Sequence, residues 1–477
     1  MNKKRLYLAI ISVVLIVTTC FSFVGCETVS PENTTTTTTS TTTSSTSPTV
    51  QAPSDDSQEK VDITTSTLYL IDLLFQKYSI HDYDYEEALI NAVRAYISAT
   101  GDKYAAYYTP EEWEEQIVEN NGDLYGVGVT VVFDYDEYFM EVVSIVPDSP
   151  ASKHLLVGDK VTHFYDGENY VEIADLVAEN IEKYREIYDD EELIVNNAAY
   201  DAYQYSISKI KGAEGTLAKI KIERNGETIE KEIERAKVKS ISVTYKKSEK
   251  DRSVGIVSIS SFNMTTPVQF KEAMDSLIED GIEKFVFDLR HNPGGDLASI
   301  VAVLSTLLNE GDTILSTKDT NGFVSTTKVG VLSYEAPDEG EADYRTCNVT
   351  AEDIGRYRGY KMVVLVDNDT ASAAELFTAA LRDYELADIV GVTTYGKGSM
   401  QSTIPLSFYG EDYVGALKLT TKLYFPPCGE GYDGGIGIEP DYVVELEGEA
   451  AEINFYKLML KEDIDNQLKK AISLLID

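Results

Sequence analysis

Two stretches of this chain pass from an apolar run into a polar or glycine-rich turn and then into a helical pattern, and this punctuation limits what the chain can fold into. The first leads from Phe285-Val286-Phe287-Asp288-Leu289-Arg290 through His291-Asn292-Pro293-Gly294-Gly295 to a helix expected over residues 297–308. The second leads from Val363-Val364-Leu365-Val366 through Asp367-Asn368-Asp369-Thr370 to a helix expected over residues 371–384, with Phe377, Ala380, Leu381 and Tyr384 on one face. Strands alternating with helices point to an α/β domain, which we assign to residues 238–447. Two such junctions in one sheet set backbone donors side by side at the carboxyl ends of the strands, where open α/β sheets bind ligands.

The remaining segments differ in texture. Residues 61–121 carry apolar positions at helical spacing, among them Leu70, Leu73, Leu74, Ala88, Leu89, Ala92, Val93 and Tyr96, and form a helical N-terminal region. Residues 122–237 turn to short β-branched runs such as Gly126-Val127-Gly128-Val129-Thr130-Val131-Val132. An acidic, Tyr-rich helical insertion over residues 174–208 interrupts them. The tail, residues 448–477, is helical, with Leu468, Ile472 and Leu475 on one face, which suits either the core or a dimer contact. The whole is a multidomain α/β (α+β) protein: helical cap, β domain with helical insertion, and α/β core containing parallel strands.

Charge excludes some functions. The chain carries 81 acidic against 41 basic residues, a formal charge of -40, which repels nucleic acid phosphates and anionic lipid surfaces. Nucleic acid is therefore not a partner, and membrane attachment needs a specific anchor. Lys3, Lys4 and Arg5 precede an apolar run over residues 6–17, too short to span a bilayer comfortably and suited to a signal peptide. Phe23-Val24-Gly25-Cys26 resembles a bacterial lipobox, which implies removal of residues 1–25 and lipidation of Cys26; Phe23 departs from the usual aliphatic residue. Residues 26–60, dominated by Thr, Ser and Pro, form a flexible tether. The protein is thus expected outside the cytoplasm, lipid-anchored to a bacterial cell membrane. Beyond the anchor only Cys347 and Cys428 remain, too few for a disulfide framework.

The chemistry gathers at the second junction. Ser372 stands where a helix begins, and the first N–H groups of a helix lack intrahelical partners and can stabilise a developing oxyanion. A base is needed to activate it. The four histidines are His81, His154, His163 and His291; three lie outside the α/β domain, and no acidic partner for His291 is marked out. Lys397, in Tyr395-Gly396-Lys397-Gly398, follows an apolar strand, and the glycines on both sides let the chain fold tightly over it. A lysine serves as base when burial lowers its pKa. The pattern is not a phosphate loop, which requires GxxxxGK[ST].

Together, DLRHNPGG at 288–295, DTASAAE at 369–375 and TYGKGSMQ at 394–401 resemble the carboxy-terminal processing peptidases, also called tail-specific proteases. Supporting matches at 419–427 and 437–441 come in the family's order, and the likeness covers residues 62–447. It implies a Ser-Lys endopeptidase in which Ser372 is the nucleophile, Lys397 its base and Gln401 the residue that orients the lysine. Backbone N–H groups of Ala373 and Gly294, or of Gly295 in place of Gly294, would form the oxyanion hole. Asp288 and Arg290 would brace the sheet and its turn, and Glu375 has two readings, support for the site from behind the serine or a first-turn acid favoured by the helix dipole, the second slightly preferred. No metal and no organic cofactor is implied. A β-lactamase-like SxxK is absent, since Glu375 stands three positions after Ser372.

Residues 122–237 resemble the PDZ domain embedded in that family, with Gly126, Val127, Gly128 and Val129 as the loop that captures a peptide carboxylate. The implied partners are polypeptides with accessible C-termini; a homodimer or a regulatory partner stays open. Two departures, the insertion at 174–208 and an acidic loop at 331–358, leave ligand preference and gating unassigned. Two rivals stand beside the peptidase: a catalytically silent peptide-binding protein, and a Ser-His hydrolase using His291.

Overall fold

A computed structural model describes residues 55–120, 123–186, 188–332, 347–408 and 412–476. The leader, Cys26 and nearly all of the tether lie outside the described residues, as does the middle of the loop at 331–358. The described residues divide into two compact units, one built from residues 111–400 and 421–476, the other from residues 55–110 and 401–420.

The larger unit holds a six-stranded sheet in the spatial order Val243–Lys247, Val254–Ile259, Lys284–Asp288, Lys361–Val366, Ala387–Gly391, Tyr442–Val443. The first pair is antiparallel and the others are parallel. Strands of this kind are covered on both faces, which explains their nearly continuous apolar sequence. The pleat sorts the side chains. Phe285, Phe287, Met362, Val364 and Val366 face the helices Thr266–Glu279, Leu297–Ser305 and Ala373–Asp383. Val286, Val363 and Leu365 face Leu468, Ala471, Ile472 and Leu475 of the C-terminal helix Asn466–Ile476. The apolar face of the tail is therefore spent on the core, each buried Leu or Ile contributing about 1.5–3 kcal/mol.

A buried ion cluster pins the tail further. Arg290 donates to Asp288 and Asp465, with Nη2 at 2.7 and 2.8 Å from their carboxylates, and Nη1 donates to Gln467 at 3.0 Å. Asp288 and Arg290 brace the sheet, as the sequence leads one to expect, and reach 175 residues along the chain to do it.

The same unit contains a second, antiparallel sheet in the order Val129–Asp134, Phe139–Ile145, Lys160–Tyr165, Leu217–Arg224, Glu227–Glu234, with Tyr170–Glu172 beside Lys160–Tyr165. Residues 174–208 are helical here, as their sequence texture predicts. They form the helices Ile173–Arg185 and Glu191–Ile210, which bury Ile173, Val177, Ala199, Ala202 and Ile210 with Met140, Phe164, Ile220 and Ile222 of the sheet.

In the smaller unit, helices Asp55–Tyr78 and Tyr85–Ala99 supply the expected helical region. Asp84 caps the second, its carboxylate accepting from Glu87 N at 3.0 Å. The short strand Ala106–Tyr108 pairs with residues 416–418, and the Asp102 carboxylate accepts Thr420 N at 2.8 Å and Thr420 Oγ1 at 2.9 Å. No helix among the described residues is long and apolar enough to cross a membrane.

Candidate active site

The strands Lys284–Asp288 and Lys361–Val366 are parallel neighbours, so the two turns that follow them emerge side by side. They are stitched together by backbone: Leu289 N donates to Leu365 O at 2.9 Å and Ala371 N to Asn292 O at 2.9 Å, while Thr370 Oγ1 donates to Leu289 O at 2.9 Å. The juxtaposition inferred from the two sequence junctions is the central feature of the site.

Ser372 is the N-cap of the helix Ala373–Asp383, with φ 55 and ψ -117. A non-glycine residue there is strained by about 1–3 kcal/mol, and such strain concentrates where a side chain must be aimed. Ser372 is only 1% exposed, and its Oγ makes no hydrogen bond among the described residues. A buried hydroxyl left without a partner is costly, so its presence calls for a role other than packing.

Of the two sequence readings of Glu375, the contacts match support for the site rather than the slightly preferred dipole acid. Glu375 is 0% exposed, whereas a first-turn acid serving the helix dipole would face water. Its Oε2 accepts from Ser372 N at 2.9 Å and from Lys397 N at 2.8 Å, and its Oε1 accepts from Gly396 N at 2.7 Å and Thr394 Oγ1 at 2.6 Å. Burial pushes its pKa up, opposed by these four donors. One carboxylate thus holds the Ser372 turn and the lysine loop to a single point.

Lys397 is half-buried. The tyrosine Tyr424 donates its hydroxyl to Lys397 O, and burial drives that phenol's pKa well up, which keeps it protonated. The flanking glycines are required by space: a Cβ on Gly396 would lie 2.6 Å from Gly435 Cα, and one on Gly398 2.8 Å from Asp433 Cβ. Gly398 N donates to Asp433 Oδ1 at 2.8 Å. The loop is therefore fixed on both sides of the amine-bearing residue.

Gly294, at φ 101, lies against the serine, since a Cβ there would be 2.7 Å from Ser372 Cβ, Ala371 O and Ala373 N. The structure brings Gly294, Ala373 and Ser372 together. Its N–H, however, donates to Asn292 Oδ1 at 2.8 Å, so in this conformation that donor is occupied. Gly295, at φ 144, packs on Phe262, whose O would meet a Cβ at 1.9 Å.

His291 does find acidic partners, which the sequence did not mark out because they lie 76 and 78 positions away. Nε2 is 3.3 Å from Asp367 Oδ2 and Nδ1 is 2.6 Å from Asp369 Oδ2. Both ring nitrogens are spent on carboxylates, which leaves neither to take a proton from Ser372. His291, Asp367 and Asp369 also form a grouping with metal-ligand chemistry among the described residues. By their geometry these contacts are ion pairs between the ring and the two carboxylates.

Gln401 belongs to the smaller unit, where its Nε2 donates to Thr420 Oγ1 at 3.2 Å. Of the four residues assigned to carboxylate capture, Gly126 ends the strand Asp123–Gly126, Val127 is buried, and Val129 opens the edge strand Val129–Asp134. Gly128, at φ 84, admits no side chain, because a Cβ would be 2.3 Å from Ser149 Cβ.

Residues 253–444 match peptidase family S41. The carboxy-terminal-processing protease of Bartonella bacilliformis is 27% identical over 372 residues, 76% of this chain and 70% of that protein. A CtpA-like serine protease of Staphylococcus haemolyticus is 27% identical over 351 residues, 73% of this chain but 58% of its own length. Among solved structures, the photosystem II D1 C-terminal processing protease aligns with a TM-score of 0.42 and 20% identity, over 84% of this chain and 92% of its own.

Proposed function

We propose, from the premise that this chain belongs to peptidase family S41 as a serine-type peptidase, that it is a Ser-Lys endopeptidase acting on polypeptides held by their C-terminal ends. The observation that carries this reading is the shared Glu375 carboxylate, which binds the backbones of Ser372 and Lys397 through one oxygen.

In the reaction, neutral Lys397 accepts the Ser372 Oγ proton while Oγ attacks the peptide carbonyl. Negative charge on the carbonyl oxygen is met by Ala373 N–H and by an N–H of the Gly294-Gly295 turn, the first of which must exchange its Asn292 partner for substrate. The leaving amine takes the proton from Lys397, which then deprotonates the water that attacks the acyl-enzyme and returns that proton to Ser372 Oγ as the ester bond breaks. Deprotonation of the lysine gives turnover an ascending limb toward mildly alkaline pH, because the lysine works only after losing its proton.

Substrate capture falls to the second sheet. Its strand Val129–Asp134 is an edge strand directly after the tight Gly128 turn, which supports addition of a peptide strand with its terminal carboxylate on the Gly126 to Val129 amides. The leader and Cys26 support export and lipid anchoring, with the Thr/Ser tether extending the reach of the enzyme.

The test is cleavage of an unfolded protein bearing an apolar C-terminal tail by the purified protein. Ser372→Ala and Lys397→Ala should each abolish it. A Lys397→Ala protein that cleaves like wild type overturns the dyad.

A further inference from the structure

His291 sits in the left-handed region, φ 58, at the start of the turn that carries Gly294. Its own N–H donates to Asp367 Oδ1 at 2.9 Å, and its ring nitrogens face Asp367 Oδ2 and Asp369 Oδ2. A ring nitrogen facing an ionised carboxylate donates to it, so the 2.6 Å approach of Nδ1 to Asp369 and the 3.3 Å approach of Nε2 to Asp367, whose own pKa burial and Asp369 push up, favour the imidazolium form. Asp367 and Asp369 stand on the other turn, Asp369 three positions before Ser372. The ring is covered by Phe455, centroids 4.2 Å apart, and Arg290 lies over the same Phe455 ring at 5.3 Å. The charged groups bearing on His291 are Asp367, Asp369 and Arg290.

We propose that His291, as the imidazolium, is a positioning residue for the peptidase reaction: it clamps the turn carrying Gly294 to the turn carrying Ser372. The inference rests on the assignment of Ser372 as nucleophile. Nothing in the reaction requires the ring to touch substrate. Its contribution is to hold the oxyanion donors in register with the serine, where small displacements are expensive in rate.

The direction of the pH effect follows from its surroundings. Burial disfavours the charged ring, but the hydrogen bond to Asp369 and the charges of Asp367 and Asp369 outweigh it, against Arg290, and the pKa is raised. The clamp is intact below that raised pKa and is lost as pH climbs through it. Deprotonation of Lys397 acts in the opposite sense, so the turnover profile has an ascending and a descending limb.

The experiment compares wild type, His291→Asn and Asp369→Asn from mildly acid to mildly alkaline pH, following kcat and KM on the same unfolded substrate and the His291 ring by NMR titration. Asn tolerates the left-handed backbone, which keeps the variant folded. Expected for His291→Asn is a loss of about tenfold in kcat with KM unchanged, disappearance of the descending limb, and for Asp369→Asn a fall in the His291 pKa. A His291→Asn enzyme with wild-type kcat and both limbs overturns the clamp, as does a ring that titrates alike in wild type and Asp369→Asn. If Ser372→Ala cleaves as well as wild type, the peptidase assignment of Ser372 fails instead, and the NMR titration still reports on the clamp by itself.

Discussion

The backbone N–H of Ser372 donates to Glu375 Oε2 at 2.9 Å, and that same oxygen accepts Lys397 N at 2.8 Å. Ser372, the proposed nucleophile, is thereby located by an acid one helical turn ahead of it and 22 residues before the lysine. Glu375→Gln replaces one acceptor oxygen by an amide that donates, leaving two of four donors unpaired in a buried site. We expect kcat to fall by roughly a hundredfold and unfolding stability by about 1–3 kcal/mol, measured by steady-state kinetics and urea denaturation.

Strain at Ser372 separates stability from activity. At φ 55 and ψ -117 a glycine is unstrained. Ser372→Gly should abolish cleavage while raising stability by about 1 kcal/mol, whereas a wild-type Tm or lower would show that the backbone there is not strained.

Gly294 has no room for a methyl group. In Gly294→Ala the new Cβ would press on Ser372 Cβ, Ala371 O and Ala373 N, each at 2.7 Å. Displacement of the turn should cost roughly a hundredfold in kcat with the protein still folded, as circular dichroism would check.

Arg290 neutralises two buried carboxylates, Asp288 and Asp465. Its removal in Arg290→Ala leaves both uncompensated and should destabilise by about 3–5 kcal/mol. Release of the C-terminal helix would follow, visible as faster proteolysis near residue 465.

The His291 clamp also bears on stability. Because its pKa is raised in the fold, the imidazolium contributes stability below its unfolded value and loses it as pH rises through the folded one. The Tm difference between wild type and His291→Asn should therefore shrink from mildly acid to alkaline pH; a constant difference would place the ring's contribution in packing alone.

Local order determined much of this protein. Apolar runs ending in turns specified the parallel strands Lys284–Asp288 and Lys361–Val366, and with them a serine at a helix mouth beside a Gly-Gly turn. Glycines on both sides of Lys397 signalled a tight loop, and a tight loop is what forms. These features are legible because backbone geometry depends on neighbours in sequence. What only the tertiary structure decided are the long-range choices: that Glu375 faces inward to four donors, that His291 meets Asp367 and Asp369, and that the tail's apolar stripe covers the sheet. An acid in a first turn, a histidine in a turn and an amphipathic helix each have the same sequence whether they face water or a partner. Burial makes that distinction, and burial is settled by segments scores of residues away.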